Sequence, residues 1–455
     1  MLLLLLQVAA AHPTAPPNNT LAAKVDQIFA EWNKPGSPGC ALGIVRDGSM
    51  LYRKGYGVQS LATRLPLTTA SVFYAASVSK QFAAASVVLA ARDGRLSLDD
   101  PVQKWVPELP AYGKPVTVGH LIHHTSGLRD YLTLWGLSAT LGAVHSDSDL
   151  VGLLGRQRAL NFDPGAEFSY SNSGYVLLSY IIKRATGKSL REFAQERIFG
   201  PLAMRSTHFH DDRAERHDPK TAALGYQKDE KGLLRPGLLP NFDKVGDGGL
   251  YTTVEDLFRW DQNFYTHAVG GDGFWDQMLT RGTLADGDTI NYAFALVVDD
   301  YKGVRTVEHE GSFMGYRNDL LRFPDQRFSV ICLCNLGTID PGALARKIAD
   351  LYLAEDFRKR LERFAGEYSS DELGATLQVV RRGGDLFLRR PGAADAVLTG
   401  VRREYGARTK EAGDQFTFDS GLDRMSAKFI SDPEGRVTAL LFDAGRAKNL
   451  RFVRK

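Results

Sequence analysis

Cysteine is scarce in this chain: three residues in 455, Cys40, Cys332 and Cys334. So few thiols, all in apolar surroundings, argue against a disulfide framework and against a structural zinc site. Cys332 and Cys334 fall on one face of an expected strand and read as small buried hydrophobes. An excess of charge is missing too. With 56 basic against 53 acidic residues the net charge is only +3, which excludes a polyanion footprint and removes nucleic acid as a default partner. Beyond the first eleven residues no apolar run is long enough to span a bilayer, so no stable membrane span is expected. The chain has no Gly-x-Ser-x-Gly elbow, no phosphate-binding loop and no metalloprotease His-Glu-x-x-His. What remains is 44% hydrophobic and 24% charged residues in a chain long enough for one large core and a second, smaller domain.

Met1 to Ala11 is a leucine run followed by Val8-Ala9-Ala10-Ala11, similar to the apolar core and small-residue cleavage site of a secretory signal, although the basic start is lacking. Residues 1–19 are therefore expected to be a signal peptide and linker, and the protein to be secreted or periplasmic. The sequon Asn18-Asn19-Thr20 would matter only in a eukaryotic secretory setting. Leu21 to Trp32 has apolar positions at helical spacing. Gly39 to Val45 and Met50 to Tyr56 read as a hairpin about Arg46-Asp47-Gly48. Val304 to His309, Asp319 to Phe323 and Phe328 to Cys334 read as three more strands, and helical patterns such as Gly174 to Ala185 and Val254 to Phe264 lie between the two strand groups. A sheet built from both ends of the chain with a helical insertion is an α+β arrangement, expected over 20–357. From 361 to 455, short alternating runs at Thr376–Val380, Leu386–Arg389, Phe416–Phe418, Ser426–Ile430, Val437–Phe442 and Leu450–Val453 predict a small all-β barrel or sandwich. Turn signals at Gly383-Gly384, Pro391-Gly392, Gly421 and Asp432-Pro433-Glu434-Gly435 punctuate them.

Three short motifs carry chemistry. Ser77-Val78-Ser79-Lys80 opens an alanine-rich segment that is apolar on nearly every side and ends at Gly94, hence a buried helix. Residues three apart share a face, so Lys80 lies beside the Ser77 hydroxyl, where loss of water lowers the ammonium pKa towards that of a useful base. Tyr170-Ser171-Asn172 places a phenol and an amide at the entry to a helix, where they can relay a proton and donate to a substrate carbonyl. Tyr316-Arg317-Asn318 repeats the pattern but begins an expected strand. In His309-Glu310-Gly311-Ser312 the glycine lets substrate lie against the strand, the Ser312 N–H joins that of Ser77 in a two-donor oxyanion hole, and His309 faces incoming polar groups.

In this order the three motifs resemble the serine β-lactamase and penicillin-binding-protein superfamily, in its class C-like branch, from about Leu21 to Leu353. Leu121 to Leu128 looks like that family's loop into the helical region, and Gly246 to Leu257 like its glycine-rich turn into a helix capped by Thr253. The resemblance implies a β-lactamase/transpeptidase-like antiparallel sheet flanked by helices. It implies Ser77 as acylated nucleophile, Lys80 and Tyr170 as proton-transfer groups in either order, and Asn172, His309, Gly311 and Ser312 as substrate-binding positions. No cofactor or metal is implied. Efficient β-lactamases of this branch carry Lys-Thr-Gly where His309-Glu310-Gly311 stands, so the fixed cation for a substrate carboxylate is absent. His-x-Gly is similar instead to D-aminopeptidases, D,D-carboxypeptidases and β-lactamase-fold esterases, and the C-terminal segment resembles the lipocalin-like barrels that pack on or gate the cleft in several such hydrolases.

The expected activity is serine hydrolysis of amide bonds in short D-residue peptides, or of ester bonds in small molecules. The alternatives are a β-lactamase-active hydrolase and a silent penicillin-binding-like scaffold. His120, His123 and His124, and separately His208, His210, Asp211 and Asp212, are possible metal ligands without the spacing of a complete set. The oligomeric state is not fixed by sequence.

Overall fold

A computed structural model describes residues 19–455, apart from 213, 216, 238–242, 401–402, 410–413, 420–423 and 445. Residues 1–18, which hold all of the expected leader but its last residue and also Asn18 of the sequon, and the turn at Gly421 lie outside the described residues. Six strands form the main sheet. From one edge to the other they are Ser49–Tyr56, Cys40–Arg46, Phe328–Cys334, Tyr316–Phe323, Val304–Phe313 and Val297–Tyr301. All neighbours are antiparallel, so the N-terminal hairpin is seated on a strand almost three hundred residues away.

Every residue of Phe328–Cys334 is buried, because both faces of the sheet are covered. That is why this strand reads as a continuous apolar run instead of an alternating one. On one face Ala41, Val45, Leu320, Ile331 and Leu333 join the helical region. On the other, Cys40, Leu42, Ile44, Val330 and Cys332 pack with Val25 of the N-terminal helix Asn19–Ile28 and with Leu344 and Ile348 of the helix Pro341–Tyr352. Cys40 stands opposite Cys334 in the strand ladder, and the two form a disulfide that closes 294 residues of chain. The reading of Cys334 as a simple buried hydrophobe is thus corrected. Only Cys332 remains a free thiol, buried on the same face.

At the centre of the helical layer the helix Lys80–Arg92 is buried from Lys80 through Ala90. Alanines at 83–85 and 90 let neighbouring helices approach closely, and Phe82 packs on Phe199 and Trp260. Helix Val254–Thr266, capped by the Thr253 side chain on the Asp256 N–H, is tied to the sheet by a fully buried ion pair. Arg322 Nε lies 2.8 Å from Asp261 Oδ1, and the Ser329 hydroxyl donates to the same oxygen.

The last ninety residues form a closed eight-stranded barrel in meander order, Gly366–Ser370, Ala375–Arg382, Asp385–Arg389, Ala396–Gly400, Asp414–Asp419, Arg424–Ser431, Val437–Ala444 and Ala447–Arg454. Closure comes from pairing of the first strand with the last, Tyr368 opposite Arg454. Phe416 packs edge to face on both Phe364 and Phe429, which are tilted against each other at 4.6 Å. Two of the strands, Gly366–Ser370 and Ala396–Gly400, have no counterpart among the expected ones.

Candidate active site

Ser77 sits in a single 3-10 turn, Ala76–Ser79, which runs directly into the buried helix at Lys80. Ala76 takes a left-handed backbone conformation (φ +49°) that turns the chain sharply at this point. The Lys80 ammonium, wholly enclosed, donates to Ser77 Oγ at 3.0 Å, to Asn172 Oδ1 at 2.9 Å and to the Asp247 carbonyl at 2.6 Å. Three hydrogens meet three acceptors. In the neutral amine two hydrogens still serve Asn172 and Asp247, and the lone pair points at the serine, which can then donate to it. The cage therefore fits Lys80 in both protonation states. Burial lowers the Lys80 pKa to about 8, against the opposing pull of the Asp247 and Asp130 carboxylates. Asp247 is in turn raised to about 6 by burial, with Lys80 and the Tyr131 hydroxyl holding it down.

Asn172 opens the helix Asn172–Thr186, and its position is fixed by Asp130, whose Oδ2 accepts from the backbone N–H at 2.7 Å and from Nδ2 at 3.0 Å. Asn172 also lines the cavity. Tyr170 arrives from the loop before that helix, its ring 5.0 Å from the Lys80 nitrogen. Burial drives its phenol far above the ordinary range, with a hydrogen bond to the Ser77 hydroxyl pulling the other way. At neutral pH the Tyr170 phenol thus keeps its proton, and Lys80, brought to about 8, is the group beside the serine that can lose one.

His124, from the loop after the Val118–Ile122 helix, backs the Tyr170 ring at 4.2 Å between centroids. Its Nδ1 accepts from the Ser171 N–H, Nε2 lies 3.2 Å from the Tyr292 hydroxyl, and that hydroxyl lies 3.0 Å from His309 Nε2. Burial, reinforced by the nearby Lys80 charge, holds His124 well below the usual imidazole range. With His124 neutral, one proton order satisfies the chain: His124 Nε2–H to Tyr292, Tyr292 O–H to His309 Nε2, and His309 Nδ1–H to the Glu310 carbonyl 2.6 Å away. His309 is accordingly wholly buried behind the site and does not line the cavity. The residues of its motif that do face the cavity are Glu310 and Ser312.

Gly311 lies so close to the serine turn that a Cβ there would stand 2.2 Å from the Ala75 carbonyl oxygen and 3.2 Å from the Ser77 nitrogen. The glycine is what allows the strand edge and the serine turn to share one wall. Asn318, of the rival Tyr-x-Asn pattern, is buried and donates from Nδ2 to the Tyr74 carbonyl, while the Tyr316 hydroxyl donates to the Ala223 carbonyl. Neither lines the cavity.

Ser77, Tyr170, Asn172 and Ser312 open on one cavity of about 580 Å³, with Lys80 beneath its floor. Part of the far wall belongs to the barrel: Arg403, Glu404 and Tyr405 come from the segment between the strands Ala396–Gly400 and Asp414–Asp419. The Tyr405 hydroxyl accepts from the Glu310 N–H at 3.0 Å, and its ring lies 6.0 Å from that of Tyr170. The Glu404 carbonyl accepts from Asn291 Nδ2.

Asp130, Asp247 and Tyr405 stand around the site although residue-type reasoning passed them over, and His124, weighed there only as a metal ligand, backs Tyr170 instead. Asp130 follows two residues after Leu128 at the end of the His-His-Thr-Ser-Gly loop and Asp247 lies inside the glycine-rich turn, so both were adjacent to motifs already singled out. Nothing local marks Tyr405. Of the histidines weighed as ligands, His120 is occupied in capping its own helix and His124 in holding Tyr170. His208 and His210 lie away from the cavity lining.

A family model described as Beta-lactamase matches residues 22–354. Among curated proteins, the chain is 33% identical to Penicillin-binding protein 4* of Bacillus subtilis, over 63% of this chain and 66% of that protein. It is 30% identical to D-aminopeptidase of Gluconobacter oxydans, over 69% of this chain and 58% of that protein. The chain therefore spans somewhat less than two thirds of the length of either relative. Among solved structures, the octameric penicillin-binding protein homologue from Pyrococcus abyssi superposes with a TM-score of 0.65 at 25% identity, covering 96% of this chain and 99% of that one.

Proposed function

The chain belongs to the beta-lactamase family, and on that premise we propose that it is a serine hydrolase in which Ser77 attacks an amide or ester carbonyl. The observation that carries this reading is the Lys80 ammonium held 3.0 Å from Ser77 Oγ inside a buried cage, at the floor of an open cavity. In the proposed cycle neutral Lys80 takes the Ser77 proton as Oγ bonds to the substrate carbonyl carbon. The tetrahedral oxyanion is held by the Ser77 and Ser312 N–H groups. Tyr170, hydrogen-bonded to the serine and stacked above the lysine, relays the proton to the departing amine or alcohol. Water then attacks the acyl-enzyme carbonyl, its proton passing back along the same groups, and the acid leaves with Ser77 restored.

For the acyl donor we propose short peptides with D-residues, or small esters, ahead of β-lactams. Glu310 and Glu404 border the cavity and suit a substrate amine, and no lysine occupies position 309 to bind a carboxylate. The D-aminopeptidase relative is consistent with the peptide half of this choice. We also propose export: the Cys40–Cys334 disulfide is the kind of bond that persists in an oxidising compartment.

Incubation with a fluorophosphonate and with a penicillin, followed by intact-mass measurement, tests the nucleophile. One adduct per chain that disappears in Ser77→Ala is the expected result. No adduct from any acylating probe would leave the fold as a silent scaffold. A panel of p-nitrophenyl esters, D-amino acid p-nitroanilides and nitrocefin tests substrate choice, and nitrocefin turning over fastest would overturn it.

A further inference from the structure

Outside the cavity, one side-chain cluster has no part in the chemistry above. His208 lies in the short strand His208–Phe209, which pairs with Leu250–Thr252, and His210 follows it, its N–H bonded to the Gly249 carbonyl. His217 returns from the next turn and lies tilted against Tyr251, with 3.8 Å between ring centroids. Sequence spacing offers only His208 and His210 with two aspartates. The fold supplies the third imidazole instead.

One ring nitrogen from each of the three histidines lies within 4.8 Å of the others. His208 Nε2, His210 Nδ1 and His217 Nε2 are all buried, and none has a hydrogen-bond partner among the described residues. Three ring nitrogens this close together, buried and without a hydrogen-bond partner among the described residues, make an unfavourable arrangement for an apolar packing cluster, since a buried polar atom without a partner loses its hydration for no return. It is a favourable one for a shared cation. Glu215 adds a carboxylate beside them, 3.5 Å from His210 Nδ1 and 4.0 Å from His208 Nε2, while it is itself clamped by Arg191.

We propose that His208, His210 and His217 form a structural zinc site, with Glu215 or water completing the tetrahedron. Imidazole donors select zinc and its late first-row neighbours over magnesium or calcium, which prefer oxygen. Zn–N bonds of about 2.0–2.1 Å place tetrahedral nitrogens about 3.4 Å apart. The rings need to close by little more than an ångström from the separation found here. The consequence of binding is mechanical. His210 is bonded to the turn that carries Asp247, and Tyr251, under the cluster, touches Tyr74 on the cavity wall at 5.3 Å between centroids. Zinc would pin the 208–217 segment to that wall.

The test uses the full chain, stripped of metal and then supplied with Zn²⁺. One tightly held zinc per chain by elemental analysis after gel filtration is expected, together with a melting temperature that rises with the logarithm of free zinc. His217→Gln, and separately His208→Asn, should weaken binding by more than about tenfold, at least the loss seen when a mere supporting partner of a metal ligand is removed. Cys332→Ser should leave binding unchanged, because the thiol of Cys332 beside the Cys40–Cys334 disulfide is the other cluster among the described residues that can be drawn around a metal. Cobalt substitution gives a reading that needs no variant. Intense visible d–d bands without thiolate charge transfer support the histidine site. Thiolate charge transfer, unchanged zinc affinity in both histidine variants, or no retained zinc would each overturn it.

Discussion

Lys80 and Asp247 together fix where on the pH scale the proposed reaction runs. The base is the neutral amine, whose pKa burial has brought to about 8, so kcat/KM for a neutral ester should climb with pH and level off above that value. The Asp247 carboxylate raises the Lys80 pKa. Asp247→Asn removes that charge, so the midpoint of the rise should move to lower pH, while the amide can still accept from the Tyr131 hydroxyl. A pH–rate profile of the variant checks the sign, and a midpoint displaced upwards would contradict the assignment of Lys80 as the titrating base. Tyr170→Phe tests the relay. Losing a positioned proton-transfer group should lower kcat by about 10²–10⁴-fold. Because the acylating proton is taken by Lys80, the stoichiometry of the fluorophosphonate adduct should survive at long incubation.

Among the elements, the sheet edge and the helix Val254–Thr266 make separable contributions. Gly311→Ala would push a methyl into the Ala75 carbonyl. The strand would have to back away from the serine turn, taking the Ser312 N–H with it. Loss of one oxyanion donor should depress kcat by about 10²–10³-fold, and the displaced strand should cost about 1–3 kcal/mol of stability. Asp261→Ala should cost stability alone. It leaves the buried Arg322 charge without its partner, so unfolding in urea should show about 3–5 kcal/mol lost with kinetics in native buffer little altered.

The same elements show what sequence reasoning reaches and where it stops. Ser77, Lys80, Tyr170 and Asn172 could be gathered because each motif abuts a helix start, where periodicity is strongest. The strand Val297–Tyr301 was hidden because Asp299-Asp300 interrupts its apolar run, although Lys302-Gly303, both at positive φ, make the tight turn that returns it as Val304–Phe313. Gly366–Ser370 was hidden because its sequence, Gly-Glu-Tyr-Ser-Ser, buries only Tyr368 and Ser370. His309 was expected in the cleft, but a motif does not state which face of a strand is inward, and this ring faces the Tyr292–His124 chain. The disulfide lay beyond local reasoning altogether, since its cysteines become neighbours only once the sheet has formed.

For the molecule as a whole, the hydrolase-like region and the barrel meet at the cavity. Tyr405 is the contact through which the barrel can influence chemistry, being bonded to Glu310 and near Tyr170. Tyr405→Ala should leave melting of the protein nearly unchanged but alter KM and the ranking of substrates by size, whereas Ser77 should still be labelled by a small fluorophosphonate. Equal losses for large and small substrates would assign Tyr405 to support of the strand alone. The disulfide acts at this scale also. Closing so long a loop stabilises by about 5–6 kcal/mol in the chain-entropy account, so Cys40→Ser should lower the denaturation midpoint without changing the pH–rate profile.

The pairing of Cys40–Arg46 with Phe328–Cys334 also sets a timetable. A ribosome adding about 5–20 residues per second exposes the hairpin long before its partner strand exists, for a span of roughly 15–60 s at those rates. During that interval the nascent chain has an open apolar edge and its serine turn has no Gly311 wall to lie against. The growing polypeptide is therefore catalytically inert but prone to association. A stop codon anywhere before residue 334 should yield aggregate with no labelled serine, not a weakened enzyme.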